Sequence, residues 1–128
     1  MDAATRELVR QRARGFCEYC GLAQADEPFF TFHIEHIVAR QHGGGDEPGN
    51  LALACHHCNL RKGPNLTGLD PESGAIAPLF HPRRDLWAEH FAWVGVELHG
   101  LTPAGRATIA VLRINAPPRL ELRALLRG

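Results

Sequence analysis

Two closely spaced cysteine pairs constrain what this chain can fold into more than any other feature of the sequence. The pairs are Cys17-Glu18-Tyr19-Cys20 and Cys55-His56-His57-Cys58, and 34 residues separate them. Each Cys-x-x-Cys turn supplies two thiolates, and two such turns complete a tetrahedral zinc site. Disulfides need an oxidising compartment, for which the sequence shows no targeting signal, and a redox motif would not explain the second pair. The sequence therefore predicts one structural Zn²⁺ bound by Cys17, Cys20, Cys55 and Cys58.

The length of 128 residues favours one domain with one hydrophobic core. An apolar content of 45% and a charged content of 22% are ordinary for globular proteins, which excludes a disordered tail or a fibrous repeat. No apolar run approaches the roughly 20 residues of a membrane-spanning helix, and the first residues lack the apolar segment of a secretory signal. We therefore expect a cytoplasmic protein with a single domain over residues 1–128, a core at about 15–65 and a C-terminal extension at about 66–128.

The charged residues balance in total but are unevenly distributed. There are 14 basic and 14 acidic residues, yet residues 81–128 carry seven arginines against four acidic residues. All basic residues except Lys62 are arginines, whose planar guanidinium suits bidentate contacts with phosphate. Solvated surface arginines and GC-rich coding explain the same pattern. Charge alone therefore does not decide whether the protein binds nucleic acid.

The region between and after the cysteine pairs predicts two strands and a helix. Residues 28–38 are aromatic and β-branched, as in a strand, and residues 51–55 fit a short returning strand. The glycine-rich residues 41–50 between them form the loop of this hairpin. Residues 59–62 continue into a brief helix that Gly63 and Pro64 end. The predicted local order is β, β, α.

Helices are predicted on both sides of this region. One helix covers residues 3–14, with Asp2 as its N-cap and Gly15 at its end, and another begins at Thr102 and Pro103. A last short helix follows residue 118, and its leucines are expected to face inward while its arginines lie on another face. Those leucines are Leu122, Leu125 and Leu126, and those arginines are Arg119, Arg123 and Arg127.

Several short motifs follow one another in a defined order between Cys17 and Gly63. They are Glu35-His36-Ile37, Gly43-Gly44, Asn50-Leu51 and the final Cys-x-x-Cys-Asn-x-x-Lys-Gly from Cys55 to Gly63. This order resembles the zinc-knuckle branch of the HNH endonucleases, which are ββα-metal nucleases. The resemblance implies an α+β fold: a β-hairpin and a short helix clamped by the four-cysteine zinc site, with helices before and after.

Phosphodiester hydrolysis requires a base that activates water and a cation that stabilises negative charge. His36 is predicted to be the general base, because an imidazole accepts a proton at neutral pH. Glu35 and Asn59 offer hard oxygen ligands for a catalytic Mg²⁺ or Mn²⁺. The resemblance implies that Asn50 is a further site residue, which holds the hairpin loop in shape and keeps the histidine oriented.

Two features depart from the family pattern or from regular strand geometry. Many family members have histidine at the position of Asn59, which affects the affinity and preference for the cation. Glu35 and His36 would also point to opposite faces of a regular strand. Both can reach one phosphate only if the strand twists or ends at this dipeptide, so irregular backbone is predicted there.

Other basic and imidazole groups have more than one interpretation. For Arg61 and Lys62, which lie beside the predicted active helix, phosphate contact and simple solvation are equally good explanations. Arg40, Arg83 and Arg84 are weaker candidates for phosphate contact. His33 is either a phosphate-contacting group or a structural residue. His56 and His57 are exposed turn residues or reserve ligands of the zinc, and the roles of His42 and His81 stay open.

The sequence supports two classes of function. The first is a metal-dependent endonuclease that cleaves DNA and, as the resemblance implies, leaves 5′-phosphate and 3′-hydroxyl ends; RNA stays open as the alternative substrate. The second is a zinc-stabilised module that binds nucleic acid without chemistry, for which the zero net charge predicts weak, salt-dependent binding. Glu35, His36 and Asn59 together favour the enzyme, because a pure binder needs no general base. No obligate protein partner is evident from the sequence.

Overall fold

The computed structural model describes residues 1–127 and has the predicted α+β fold. Its helices are α1 (Ala3–Arg12), α2 (His56–Lys62), α3 (Trp87–His90), α4 (Pro103–Leu112) and α5 (Pro117–Arg127). Its strands are β1 (His33–His36), β2 (Leu51–Ala54), β3 (Thr67–Leu69), β4 (Ile76–Pro78), β5 (Phe91–Val94) and β6 (Glu97–Gly100). Consecutive strands pair as antiparallel hairpins, β1 with β2, β3 with β4 and β5 with β6. Among the described residues, no helix is long and apolar enough to cross a membrane.

The chain forms two compact units. The first consists of Met1–Leu66 and His81–Arg84, and the second of Thr67–Phe80 and the chain from Asp85 onward. Both cysteine pairs lie in the first unit. Removal of zinc tests whether the two units unfold together, as the predicted single domain requires.

Helix α1 opens the first unit with the predicted cap. The Asp2 carboxylate accepts a hydrogen bond from the Thr5 amide at 2.8 Å, which satisfies one of the free amides at the helix start. The helix ends at Arg12, two residues before the predicted end, because Arg14 turns the chain into the left-handed region at φ 56°. Val9 is its buried residue.

The hairpin of β1 and β2 is shorter than predicted. The register pairs His33 with Ala54 and His36 with Leu51. Since β2 offers only four residues, β1 pairs over four residues of the predicted 28–38. The preceding segment is instead held by Gln24, whose side chain donates to the Phe30 carbonyl at 2.9 Å and accepts from the Phe32 amide at 2.6 Å.

Helix α2 completes the predicted β, β, α order and begins three residues earlier than predicted. Cys55 is its N-cap, and the Cys55 sulfur accepts from the Cys58 amide at 3.4 Å. The second cysteine pair is therefore the first turn of the helix itself. The helix ends at Lys62, where Gly63 has a φ of 50°.

The second unit packs α4 against the neighbouring strands. Thr102 caps α4 as predicted, with its hydroxyl accepting from the Gly105 amide at 3.0 Å. Ala107 and Leu112 of this helix are fully buried. A buried ion pair adds to this packing, because both oxygens of Asp70 accept from the Arg106 guanidinium at 2.9 and 3.0 Å.

The predicted orientation of α5 is wrong. Leu125 is 81% exposed, whereas Arg123 is only 9% exposed. Arg123 donates to the carbonyls of Val96 at 3.1 Å and Ile114 at 2.7 Å, and its guanidinium lies over the Trp93 ring. Carbonyls without a strand or helix partner need a donor, and the long arginine side chain supplies it.

Candidate catalytic site

The four cysteines converge as the spacing predicts. Their sulfur atoms all lie within 4.8 Å of one another, and all four residues are buried. The sulfurs of Cys20 and Cys55 are 3.7 Å apart, and a tetrahedral zinc with bonds of about 2.3 Å would separate its sulfur ligands by about 3.8 Å. The cluster therefore fits Zn²⁺, which would be held by the four thiolates and would stabilise the hairpin and α2.

Protons compete with a metal ion for the four buried sulfur atoms. Burial raises the pKa of Cys17 well above its usual range, whereas hydrogen bonds with the other thiols, first that of Cys17, lower the pKa of Cys20. A metal ion replaces the protons that such buried thiols hold, so zinc binding releases protons and weakens at acidic pH.

His36 lies at the end of β1 and is paired with an acidic residue that the sequence analysis did not single out. The His36 Nε2 atom is 2.7 Å from Oδ1 of Asp46, in the glycine-rich loop. This hydrogen bond lowers the pKa of Asp46, so the carboxylate is ionised at neutral pH. Nε2 is therefore the protonated nitrogen of the neutral ring, and Nδ1 has a free lone pair.

Asn50 holds the loop that carries Asp46. Its side-chain oxygen accepts from the Val38 amide at 2.9 Å, and its side-chain nitrogen donates to the carbonyls of Val38 at 3.0 Å and Gly45 at 2.9 Å. Gly44 is required at the same point, because a Cβ atom there would lie 1.7 Å from the Val38 carbonyl oxygen. These contacts agree with the loop-holding role that the resemblance implies for Asn50.

Glu35, which is predicted to be an oxygen ligand of the catalytic cation, is instead enclosed by protein groups. It is 5% exposed, both carboxylate oxygens accept from the Tyr19 hydroxyl at 2.8 and 2.7 Å, and Lys62 Nζ is 3.0 Å from Oε1. Burial raises the pKa of Glu35, and the charge of Lys62 opposes this effect. β1 stays regular through Glu35 and ends at His36, so the two side chains point to opposite faces. A cation could bind Glu35 only where Lys62 now lies.

The buried pair of Glu35 and Lys62 gives a testable consequence for stability. We expect Lys62→Met to lower the free energy of unfolding of the zinc-loaded protein by about 3–5 kcal/mol, because it leaves a buried carboxylate without its charged partner. Urea unfolding followed by circular dichroism measures this loss. The double variant Glu35→Gln/Lys62→Met removes the buried charge and should lose less.

Arg61→Met is the matched control for this experiment, since it removes the neighbouring and less buried cation of α2. A loss in Lys62→Met no larger than that in Arg61→Met would contradict the importance of the buried pair.

The face of α2 that meets Glu35 also carries Asn59 and His56. His56 contacts His33 of β1, with Nδ1 of the first and Nε2 of the second 3.1 Å apart. Burial lowers the pKa of His33. Asn59 lies between His56 and Lys62 on α2, and within the described chain its side chain makes no hydrogen bond. The structure thus brings His33, His56 and Asn59 to one side of the hairpin.

The predicted phosphate-contacting residues fall into two groups. Two of them are engaged inside the first unit: Lys62 is 2% exposed and also donates to the Ile37 carbonyl at 2.9 Å, and Arg83 pairs with Glu18. The others are more accessible: Arg40 pairs with Asp46 at 2.9 Å, Arg61 reaches the His57 carbonyl at 3.5 Å, and Arg84 is exposed.

A cavity of about 450 Å³ opens beside His36. Its lining includes Arg6 and Arg10 of α1, Arg40 of the loop, and His33 and His36 of β1. The sequence analysis did not assign Arg6 and Arg10. Their spacing of four residues places them on one face of α1, which is the signal that could have identified them.

Residues 17–65 match the family model of the HNH endonuclease. The matched segment contains both cysteine pairs, the β1–β2 hairpin, the loop with Asp46, and α2. No curated protein and no solved structure matches the chain. An HNH domain indicates a nuclease-type function or another function related to nucleic acid. Over residues 17–65 the chain is therefore similar to the HNH endonucleases.

Proposed function

We propose that the protein is a metal-dependent endonuclease that hydrolyses DNA phosphodiester bonds with His36 as the general base. The observation that carries this proposal is the hydrogen bond between His36 and Asp46 at the wall of an arginine-lined cavity within an HNH domain. A module that only binds nucleic acid explains the arginines. It does not explain a histidine whose tautomer is set by a carboxylate.

The proposed reaction begins with proton transfer to His36. Nδ1 takes a proton from a water molecule while the water oxygen forms a bond to phosphorus. The bond between phosphorus and the 3′ oxygen breaks, and that oxygen takes a proton from solvent. The products are a 5′-phosphate and a 3′-hydroxyl. Asp46 keeps Nε2 protonated and stabilises the imidazolium ring that forms, as a carboxylate does for other catalytic histidines.

A divalent cation would stabilise the negative charge on the phosphate and on the leaving oxygen. Asn59 is proposed as an oxygen ligand for Mg²⁺ or Mn²⁺. Glu35, the other predicted ligand, can take part only after it leaves Tyr19 and Lys62. Asn50 acts indirectly, by holding the loop that brings Asp46 to His36.

The cavity supplies groups for the substrate backbone. Arg6, Arg10 and Arg40 line the cavity beside His36, and guanidinium binds phosphate oxygens in a bidentate manner. Arg10 donates to the Phe32 carbonyl at 3.4 Å and Arg40 pairs with Asp46, so both would exchange these partners for phosphate. Such contacts to the backbone carry no sequence information. We therefore propose DNA as the substrate, with low intrinsic sequence specificity.

Asp46→Asn tests the positioning of the base. We expect the rate of nicking to fall about 10–100-fold, because the amide no longer fixes the tautomer or stabilises the imidazolium ring. Single-turnover nicking of supercoiled plasmid DNA at one neutral pH measures this fall.

Glu47→Gln is the matched control, because it neutralises the neighbouring exposed acid of the same loop. Equal nicking rates for the wild type and Asp46→Asn would show that Asp46 has no role in orienting the base.

One experiment distinguishes an enzyme from a module that only binds nucleic acid, because it measures bound DNA and cut DNA in the same reaction. Zinc-loaded protein is incubated with supercoiled plasmid in Mg²⁺ or Mn²⁺, and samples are analysed with and without removal of protein. If the protein is a nuclease, we expect nicked, relaxed plasmid circles that remain after the protein is removed. Retarded but intact plasmid would favour the binding module, and cleavage of a matched RNA but not of DNA would change the substrate class.

A further inference from the structure

His33 and His56 form a pair of facing imidazoles that the proposed reaction does not use. Their ring centroids are 5.3 Å apart, and the nearest nitrogens are 3.1 Å apart. Phe30 stacks on the His56 ring at a centroid distance of 4.0 Å and an interplanar angle of 4°, which fixes the plane of that ring. Because β1 carries one histidine and α2 the other, regular elements hold this separation.

The separation of these nitrogens is the one that a shared metal ion requires. Imidazole nitrogens bind divalent transition-metal ions at about 2.0–2.1 Å. Two such ligands at tetrahedral or octahedral angles are therefore about 2.9–3.4 Å apart. The observed 3.1 Å lies within this interval. A direct hydrogen bond between the rings explains the same distance, and the experiment below distinguishes the two.

The surroundings of the pair favour a bound ion over a purely structural contact. Asn59 follows His56 by nearly one turn on the same side of α2, and its amide oxygen is a further neutral ligand atom. His33 and Glu35 share one face of β1, and His36 lies on the other face, so an ion on His33 would lie on the side of β1 that carries Glu35.

We propose that His33 and His56 bind a divalent transition-metal ion of the class that prefers imidazole, such as Co²⁺, Ni²⁺ or Zn²⁺, with Asn59 as a third ligand. Both facing nitrogens then present lone pairs, and each ring carries its hydrogen on its other nitrogen. In this proposal the two histidines replace Glu35 as cation ligands, because the Glu35 oxygens are already bound by Tyr19 and Lys62. Its role in the reaction rests on the proposed nuclease function, but its metal binding does not.

Titration of the zinc-loaded protein with Co²⁺ tests this site. We expect one Co²⁺ per chain by calorimetry, with weak ligand-field absorption and no strong thiolate-to-cobalt band, because Zn²⁺ stays on the cysteines. His33→Ala and His56→Ala should each weaken Co²⁺ binding by at least about 10–100-fold. His42→Ala, which removes an exposed loop histidine, is the control and should leave binding unchanged.

Glu35→Gln distinguishes the proposed site from the one predicted from the sequence. Unchanged Co²⁺ binding in this variant supports the histidine site, whereas loss of binding in Glu35→Gln but not in His33→Ala would overturn it. Absence of a second bound ion in the wild type would also overturn it.

A nuclear magnetic resonance experiment on the wild type, in which bound Co²⁺ broadens nearby resonances, tests the site without any substitution. The ring resonances of His33 and His56 should broaden first, and selective broadening at other histidines would contradict the assignment. Plasmid nicking is measured separately. A wild type that binds Co²⁺ as expected but never cuts nucleic acid would refute the proposed function and leave the metal site standing.

Discussion

Removal of zinc with a chelator is expected to unfold residues 17–65. The four buried thiolates join the segment before β1 to the start of α2, and no other covalent or metal link spans that distance among the described residues. Structural zinc contributes an apparent free energy of about 10–16 kcal/mol at neutral pH. This is comparable to the total stability of about 5–15 kcal/mol that is typical of a folded domain. Loss of the ion should therefore leave the hairpin and α2 unfolded.

Cys58→Ser makes the same test by substitution. Cys58 is fully buried, and a serine hydroxyl is a poor replacement for a thiolate ligand of zinc. We expect less than one zinc per chain and loss of amide-exchange protection in β1, β2 and α2. His57→Ala changes the same turn without removing a thiolate and should keep its zinc. Full zinc content and full protection in Cys58→Ser would contradict the four-cysteine site.

Tryptophan fluorescence during zinc removal also tests the domain organisation. Trp87 and Trp93 both lie in the second unit, whereas the cysteines lie in the first. The predicted single domain over residues 1–128 requires the tryptophan signal to change together with the loss of protection in β1. An unchanged signal would show that the second unit folds independently.

His36→Ala is expected to reduce nicking at neutral pH by at least about 10²–10⁴-fold, the usual contribution of a general base. The ring is only partly exposed and is held by Asp46, so it is already oriented before substrate binds. Nicking of supercoiled plasmid by the zinc-loaded proteins at one neutral pH measures this loss.

His42→Ala is the matched control for this substitution. His42 lies in the exposed turn of the same loop and has no assigned role, so its removal should leave the rate within about twofold. Equal zinc content and equal circular dichroism in both variants establish that each is folded. A rate in His36→Ala equal to that of His42→Ala would remove His36 from the reaction.

Local signals in the sequence predict much of the fold. Asp2 and Thr102 are caps whose side chains bond to amides three residues away, so neither needs the tertiary structure. The cysteine spacing is similarly decisive, because a metal ion accepts few ligand arrangements. Arg123 shows where local reasoning fails: its partners are carbonyls far along the chain, and only the folded unit shows that they lack other donors.

The candidate site is less predictable because its contacts join distant segments. The motif order identifies His36 and Asn50, but the partner of His36 lies in a loop whose path depends on Gly44 and Asn50. From the sequence, Lys62 is expected to be a solvated or phosphate-contacting cation. In the structure it is the buried partner of Glu35, since the side of β1 that carries Glu35 faces α2. Strand periodicity indicates the opposite faces of Glu35 and His36, but it does not show which face is enclosed.

The most direct measurement is the single-turnover rate at which zinc-loaded wild type and His36→Ala nick supercoiled plasmid, each with Mg²⁺, with Mn²⁺, with Co²⁺ and without an added cation. The proposed mechanism predicts nicking by the wild type that depends on the added cation, and a rate at least about 100-fold lower in the folded variant. Equal rates for the two proteins, or no cleavage of any nucleic acid by the wild type with every cation, would contradict it.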